Sequence, residues 1–353
     1  MDYKKELAEL VMMVVKEDAS DLHITVGRHP TFRVSGSLVP LIKKPILTPQ
    51  DTEGLIFAML DENKIKELSE KRELDFSYMF ENKIRFRVNA FFQRGFLSAS
   101  LRLIPVKIKT FKDLNLPDIL KDFADKEQGF FLAVGPIGHG KSTTLASIID
   151  YINHNRSEHI VTIEDPVEYL FIQDKSIVDQ REVRSDTNDF KTALRSMFRQ
   201  DINVAMIGEM RDVETISTAV TAAETGHLVF SSLHTNNAAQ SIDRIIDSFP
   251  HDQQNQIRVQ LANALLGIFS QRLIPRISGG LVPAYEILIN NAAVRNLIRE
   301  NRTHEIDLVI ETGLELGMVN LNRSLANLVR DGEITVDNAF SFSLNPKGLE
   351  GLL

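Results

Sequence analysis

The sequence predicts an α/β protein of two domains, and three observations support this fold class. The chain has 353 residues, more than a single domain usually holds. Beyond residue 118, short apolar segments alternate with helical stretches, which is the order of a parallel sheet with helices on both faces. A glycine-rich segment, VGPIGHGKSTT at 134–144, joins one predicted strand to the next predicted helix.

Composition places the chain among globular proteins and narrows the choice of partners. Apolar residues make up 43% of the sequence and charged residues 25%, a balance typical of packed domains rather than of disordered chains. The formal net charge of −8 disfavours a nucleic-acid partner. Because the chain has no cysteine, disulfides and thiolate metal sites are excluded, which fits a reducing cytosol.

No stretch of the sequence predicts insertion in a membrane. The longest apolar runs, such as LVMMVV and GFFLAV, are far shorter than the roughly 20 residues that cross a bilayer. The start, MDYKKELAEL, has no signal-peptide core, and no basic amphipathic helix indicates direct contact with lipid. We expect a cytoplasmic protein that does not insert directly in lipid.

The first domain is predicted over residues 1–104. Apolar residues at helical spacing predict a helix over 4–17, and the polar stretch 48–68 is also helix-like. The segments LHITVG, TFRVSGSLVPL and KIRFRVNAFFQ are rich in strand-forming residues. Alternation in the last segment places Arg85 and Arg87 on one sheet face. That face is either a solvated outer surface or one that meets a phosphate or another subunit.

A linker is predicted over 105–117, where PVKIKTFKDLNLP sets lysines between two prolines with little periodic pattern. Residues 118–353 then form the second domain. Its strands and helices are predicted in the order GFFLAV, helix 142–155, HIVTI, helix 188–200, INVAMIG, helix 212–225 and HLVFSSLHT.

The glycine-rich segment predicts a phosphate-binding loop. Gly135, Gly140, Lys141 and Ser142 fit the pattern G-x-x-x-x-G-K-[ST], with a buried strand before it and a helix after it. Glycines let successive N–H groups curl around a β-phosphate at the positive end of the helix, where a Cβ would crowd the anion. Lys141 then reaches the β- and γ-phosphates, and the Ser142 hydroxyl can bind Mg²⁺. The alternative is a glycine-rich strand-to-helix turn.

Three carboxylates follow the HIVTI strand, in EDPVE at 164–168. Glu164, Asp165 and Glu168 repel one another unless a cation or hydrogen bonds offset their charges. The same residues also resemble a helix start, with Asp165 as N-cap and Pro166 in the first turn. Ligands of parallel sheets lie at the carboxyl ends of the strands, so we expect the cluster beside the phosphate loop, where a carboxylate can orient the attacking water.

Two further strands end in residues suited to nucleotide chemistry. Glu209 follows INVAMIG and is placed for the outer shell of Mg²⁺, the Walker B pattern, although an apolar strand followed by an acid is common in structural roles. His227 and His234 lie seven residues apart on the HLVFSSLHT segment, so they point to opposite faces and are not expected to share a metal. His234 can hydrogen-bond a γ-phosphate or an acidic neighbour, whereas His227 is expected to pack or cap.

An arginine near the γ-phosphate is common in P-loop enzymes and is often delivered from another subunit. The sequence does not choose among its candidates, which are Arg85, Arg87, Arg102, Arg195, Arg199 and Arg272.

Four segments, in this order and spacing, resemble the secretion ATPase superfamily that drives type IV pili and type II secretion. GPIGHGKST resembles its Walker A motif, TIEDPVEY its Asp box, MIGEMRD its Walker B motif and GHLVFSSLHT its His box. SDLHITVG and RFRVNAF resemble its N-terminal domain, so the resemblance covers nearly the whole chain. It implies a smaller PAS-like α/β domain, a RecA-like P-loop core with a C-terminal helical region, and a homohexameric ring.

The resemblance also implies roles for residues. Glu168 is then the general base, Glu209 the Walker B acid, and His227 with His234 the His-box pair, with Lys141 and His234 contributing to catalysis. Ser142 holds Mg²⁺ directly and Glu209 through water. The residues that would hold ATP are Gly135, Pro136, Ile137, Gly138, His139, Gly140, Lys141, Ser142 and Thr143, with Arg85, Arg87 and Arg102 contributing at an interface.

Two features bear on which member of the superfamily the chain resembles. AAVRNLIRE at 292–300 is similar to the AIRNLIRE motif of the pilus retraction ATPases, which implies pilin disassembly, twitching motility and docking on an inner-membrane platform protein. An extension or secretion ATPase is the alternative, but these usually carry a longer N-terminal region and a four-cysteine zinc element. Ile137 and His139 replace the usual threonine and serine of GPTGSGKST, and a hydrolysis-poor regulatory paralogue is a further alternative.

Overall fold

The structure, a computed structural model, describes residues 2–34, 36–81, 83–105, 107–210 and 212–353. Of the segments discussed above, Ser35 between two predicted strands, Val106 in the predicted linker and Arg211 in MIGEMRD lie outside the described residues. Contacts divide the chain into a first unit, residues 1–106 with 168–170, and a second unit, residues 107–167 with 171–353. The domain boundaries inferred from the sequence stay predictions.

The first unit is an antiparallel sheet packed against helices. Its strands lie in the order β3-β2-β1-β6-β5-β4. The helix-like stretch 48–68 is two helices, because Thr48 and Asp61 each cap a new N-terminus. The elements are α1 (Tyr3–Lys16), β1 (Asp21–Ile24), β2 (Thr31–Val34), β3 (Ser37–Pro40), α2 (Pro49–Phe57), α3 (Glu62–Lys71), β4 (Glu73–Phe80), β5 (Ile84–Gln93) and β6 (Phe96–Ile104).

The alternation predicted for β5 is present. Phe86, Val88 and Ala90 are buried in the core with the apolar face of α1, while Arg87 is exposed on the opposite face. Arg87 is in register with Arg102 of β6. The Nε of Arg102 donates to the buried carboxylate of Asp21 at 2.9 Å, which fixes one guanidinium of this arginine-bearing face.

The second unit is a mostly parallel sheet with helices on both faces, and the predicted α/β class is confirmed. The strand order is β13-β12-β7-β11-β10-β8-β9, with β12 and β13 antiparallel to each other. The elements are α4 (Ile119–Ala124), β7 (Gly129–Val134), α5 (Lys141–Asn155), β8 (His159–Glu164), β9 (Ile177–Glu182), α6 (Phe190–Met197), β10 (Val204–Ile207), α7 (Val213–Glu224), β11 (Leu228–Leu233), α8 (Ala238–Asp247), α9 (His251–Ala264), β12 (Leu265–Pro275), β13 (Leu281–Ile289), α10 (Ala292–Arg299), α11 (Ile306–Thr312), α12 (Leu321–Arg330), α13 (Val336–Phe342) and α14 (Pro346–Glu350).

The central strand β7 shows why the sheet is covered on both sides. All six of its residues are buried. Phe130, Leu132 and Val134 belong to one hydrophobic cluster, whereas Phe131 and Ala133 belong to another. Because successive strand residues point to opposite faces, the two clusters lie on the two sides of the sheet. The segment that follows β7 therefore begins at the edge of a core that is packed on both faces of the sheet.

Part of the predicted linker packs on this unit. Thr110 caps a short turn by bonding with Asp113, and Phe111 and Leu116 are buried in the cluster that contains Phe131. At the other end of the chain, α12, α13 and α14 form a separate apolar cluster with β12 and β13. Within the described ranges, no helix combines the length and apolar character required to span a membrane.

Candidate functional site

The loop between β7 and α5 adopts a conformation that its glycines permit. Gly135, Gly138 and Gly140 have φ angles of 142°, 78° and 83°, which L-residues rarely adopt. A Cβ at Gly135 would lie 2.3 Å from the carbonyl oxygen of Gln271 on β12. The helix begins at Lys141 with no side-chain cap, so its first N–H groups face the loop as donors for an anion.

Lys141 is folded into the loop rather than extended into solvent. Its side chain is buried, and Nζ donates to the carbonyl oxygens of Gly135 at 2.9 Å and Pro136 at 2.8 Å. Nζ also lies 2.9 Å from Nδ1 of His234. An ammonium group can only donate, so Nδ1 of His234 accepts and the proton of a neutral ring is on Nε2.

Nε2 of His234 points to Glu209, the residue predicted to be the Walker B acid. It lies 3.3 Å from Oε1 of Glu209, so Lys141, His234 and Glu209 form one polar chain. The sheet order explains this meeting, because β11 lies between β7 and β10 and all three strands are parallel. The turn before Glu209 is fixed by Ser232, whose Oγ donates to the carbonyl of Gly208 at 2.6 Å.

Glu164, the first carboxylate of the Asp box, lies further along the same sheet edge than the sequence predicted. β8 is three strands from β7, with β11 and β10 between them, so the expected position of Glu164 beside the glycine-rich loop is wrong. At about 4.8 Å per strand, the separation is on the order of 14 Å. Glu164, at the end of β8, is buried and accepts a hydrogen bond from Thr162 Oγ1 at 2.8 Å.

The alternative that Asp165 caps a helix is also wrong, because residues 165–176 form no helix. The backbone instead runs in an irregular segment back to β9, with Val167 N–H donating to the carboxylate of Glu182 at 3.0 Å. Glu168 groups with the first unit, and its role as the general base stays a prediction.

His227 lies at the opposite end of β11 from His234. Its Nδ1 is 3.1 Å from the carbonyl oxygen of Ala222 near the end of α7, and its ring packs edge-on against Phe198 at 5.6 Å between centroids. These contacts correspond to the packing and capping expected for His227 from the sequence. His227 is not part of the polar chain formed by Lys141, His234 and Glu209.

The structure adds residues of β12 that sequence reasoning missed. β12 pairs with β7 as far as Ser270 opposite Val134 and then continues beyond the end of β7. Gln271 therefore lies beside the glycine-rich loop between β7 and α5, where its Oε1 accepts from Thr144 Oγ1 at 2.6 Å and its Nε2 donates to the carbonyl of His139 at 2.5 Å. A polar residue within the mostly apolar segment GIFSQRLIP is the sequence feature that would have identified Gln271, because buried polar side chains are hydrogen-bonded.

The arginine candidates differ in their surroundings. Arg195 is held by Glu214 at 2.7 Å on the surface, and Arg199 is exposed. Arg272 on β12 donates from Nη2 to Asn236 at 3.2 Å, just after the His box. Arg85, Arg87 and Arg102 belong to the first unit.

The residues predicted to hold a metal suit a magnesium ion that is also bound by phosphate. Within the described part of the chain, no group of three or more His, Asp or Glu side chains is arranged to hold a metal by itself. Ser142, in the first turn of α5, and Glu209 offer oxygen ligands of the kind Mg²⁺ takes when one or two protein groups and substrate phosphates share it.

A second buried carboxylate, Glu286 on β13, supports the segment that follows His234. It is 7% exposed and accepts the N–H of Ala238, the first residue of α8, at 2.8 Å. Burial is the main cause that raises the pKa of Glu286 to about 7; Asp307 raises it further, while the Ala238 hydrogen bond and Arg272 oppose the shift. The ionised form is therefore less favourable in the folded protein than in the unfolded chain.

We expect Glu286→Gln to stabilise the protein at pH 8 and to have little effect near pH 4. Because the folded-state pKa is raised, this group's contribution to stability is present below pH 4.5 and is lost as pH rises through about 7. At about 1.4 kcal/mol per pKa unit, the loss is on the order of 3 kcal/mol. Urea unfolding of the wild type and the variant at both pH values measures it, with the exposed Glu315→Gln as control. Equal midpoints at pH 8 would contradict the expected ionisation.

Comparisons with known proteins show the family to which the chain belongs. The family model described as type II/IV secretion system protein matches residues 3–312. The chain is 44% identical over 334 residues to the type IV pilus retraction ATPase PilT of Pseudomonas aeruginosa, covering 95% of this chain and 97% of that protein. It is 39% identical over 337 residues to the type IV pilus ATPase PilU of the same organism, covering 95% and 88%.

Among solved structures, the pilus retraction motor PilT with bound ADP has a TM-score of 0.91 and 47% identity to this chain, covering 97% of this chain and 98% of that one. The match extends over both units, so the resemblance noted from the four motifs is confirmed. This chain belongs to the type II/IV secretion system protein family.

Proposed function

We propose that the chain is a Mg²⁺-dependent ATPase that powers type IV pilus retraction, and with it twitching motility, as a homohexameric ring. The contact of Lys141 with His234 and of His234 with Glu209 carries the proposal. These two contacts join the Walker A, His-box and Walker B segments, three of the four nucleotide motifs, at one edge of the sheet. The relatives that share this chain's length include a pilus retraction ATPase and a pilus ATPase.

Nucleotide binding would rest on the phosphate loop. Lys141 exchanges the carbonyl oxygens of Gly135 and Pro136 for phosphate oxygens, a stronger pairing because the acceptors are charged. The N–H groups at the start of α5 hold the same phosphates. Ser142 and, through water, Glu209 would hold Mg²⁺, which neutralises charge on the β- and γ-phosphates.

Hydrolysis would rest on carboxylates that orient water. In this proposal Glu168 accepts the proton of the attacking water, and Glu209 keeps its place through His234. When Lys141 moves to phosphate, Nδ1 of His234 loses a donor, so His234 is placed to transmit the presence of the γ-phosphate to Glu209. Charge on the transferred phosphoryl group is offset further by Arg85, Arg87 and Arg102 at a subunit interface.

Retraction is favoured over extension by the similarity of AAVRNLIRE, the segment that contains α10, to the AIRNLIRE motif of pilus retraction ATPases. Val294, Leu297 and Ile298 are buried, whereas Arg295 and Arg299 are exposed four residues apart, so this helix, in AAVRNLIRE, presents a basic face. An inner-membrane platform protein of the pilus is the proposed partner, and the ring is held at the membrane through that protein. Neither nucleic acid nor lipid insertion has a part in the proposal.

A strain that lacks the chain tests the proposal. We expect surplus surface pili and no twitching, because pilins continue to assemble but are not removed. Electron microscopy of pili and a stab assay of twitching measure both, with the wild-type gene restored as control. Cells without pili would indicate an extension motor instead. Normal piliation and motility, with little phosphate release by the purified protein, would indicate a regulatory paralogue.

A further inference from the structure

The imidazole of His139, at the tip of the phosphate loop, is bonded to the neighbouring strand. Its Nδ1 lies 2.9 Å from the backbone nitrogen of Leu273 on β12. A backbone N–H can only donate, so Nδ1 accepts and carries no proton. The bond therefore requires the neutral ring with its proton on Nε2, and a doubly protonated ring would place two hydrogens against each other.

The same residue is held through its backbone. The carbonyl oxygen of His139 accepts from Nε2 of Gln271, whose Oε1 accepts from Thr144 in the first turn of α5. Gly140, the next residue, is so close to Gln271 that a Cβ there would lie 2.9 Å from Nε2. The loop tip is thus joined to β12 twice, once by the main chain and once by a ring that can titrate.

The charged groups that act on the ring are both positive. They are Arg272 on β12 and Lys141 on α5. Phe342 at the end of α13, which is uncharged, also contacts the ring edge-on at 6.4 Å between centroids. Burial first, then Arg272, then Lys141 lower the pKa of His139 below its usual value of 6.5. The fold therefore keeps the ring neutral at pH 7, the form that the bond to Leu273 needs.

We propose that His139 is a positioning residue for nucleotide binding: its neutral ring fastens the phosphate loop to β12 through the N–H of Leu273, and protonation releases that fastening. A loop held in place before the nucleotide arrives loses less conformational freedom on binding. The inference deepens the proposed function and rests on it, because the phosphate loop must bind a nucleotide for its position to matter.

Titration of ADP into the full-length protein tests the inference between pH 8 and pH 5. His139→Ser removes the acceptor, whereas His139→Asn keeps an acceptor oxygen near the place of Nδ1 without a titrating ring. A net hydrogen bond of about 1 kcal/mol predicts that the serine variant binds ADP three- to tenfold more weakly at pH 8. The asparagine variant should regain most of the lost affinity. A loss of affinity caused only by a gap in packing at the loop tip would not be regained in this way.

The pH profile supplies the second readout. Titration of the ADP phosphates and of other protein groups is common to all variants, so the ratio of wild-type to His139→Asn affinity isolates the ring. We expect this ratio to be constant from pH 8 to about 6.5 and to fall below that. His304→Asn, a change at an exposed histidine, should follow the wild type, and circular dichroism at each pH checks folding.

The outcomes separate the two proposals. Equal affinities of wild type and His139→Ser at pH 8, or a wild-type to asparagine ratio that does not change with pH, would overturn the role of His139 and leave the ATPase proposal intact. Failure of the folded wild-type protein to bind ADP at any pH would overturn the proposed function itself.

Discussion

Replacing Lys141 with alanine is expected to lower the rate of ATP hydrolysis at least about 100-fold and to weaken nucleotide binding. The ammonium group is buried in the loop, within 3 Å of two carbonyl oxygens and of His234, so it is already positioned for phosphate. Removing one preorganised positive donor from a phosphoryl-transfer site typically costs a factor of 10² to 10³. Phosphate release at saturating MgATP and calorimetric titration with ADP measure the two effects.

Lys141→Ala also removes the ammonium group that donates to Nδ1 of His234. Lys126→Ala is the matched control, because it deletes an ammonium group from the surface of the same unit, and it should hydrolyse ATP at the wild-type rate. Circular dichroism establishes that the Lys141 variant is folded. Hydrolysis within threefold of the wild type would show that phosphate is bound elsewhere.

Replacing Glu168 with glutamine is expected to reduce hydrolysis by about 10² to 10⁴, the usual contribution of a general base, while ADP binding changes little. The substitution keeps the size of the side chain and removes its ability to take a proton. This pattern differs from that of Lys141→Ala, which affects binding as well as turnover. Single-turnover hydrolysis and ADP titration, run side by side, distinguish the two.

Glu127→Gln is the control for this second substitution, since Glu127 is exposed. A Glu168→Gln protein that turns over ATP normally would exclude Glu168 as the base. The remaining candidates for the general base would then be Glu164, the buried carboxylate at the end of β8, and Glu209.

The sequence was sufficient for the parts of the fold that local patterns determine. The apolar run of β7, the glycines after it and the helix of α5 lie where the pattern predicted them, because strand, turn and helix here depend on neighbouring residues. His234 was likewise expected at the carboxyl end of β11, with either a γ-phosphate or an acidic neighbour as its partner, and Glu209 is an acidic neighbour. The family resemblance came from the same four motifs.

Features that depend on pairing between distant strands were not predicted. β12 and β13 lack the helix between them that marks βαβ units, so the expected strand–helix alternation did not include them. No single segment of the sequence determines the order of the strands, which is why Glu164 was expected too close to the glycine-rich loop. The helix start expected at Asp165 failed because its capping pattern is local, whereas Val167 N–H is taken by Glu182 of β9.

The bonds that tie Thr144 to Gln271 and Gln271 to His139 have a consequence for how this protein can vary. Side chains in direct contact do not contribute independently to stability. An exchange at 271 would leave a buried hydroxyl and the loop-tip carbonyl each without its present partner, so substitutions at 139, 144 and 271 should be tolerated together more readily than one at a time. Among relatives, these three positions are where we expect coupled change.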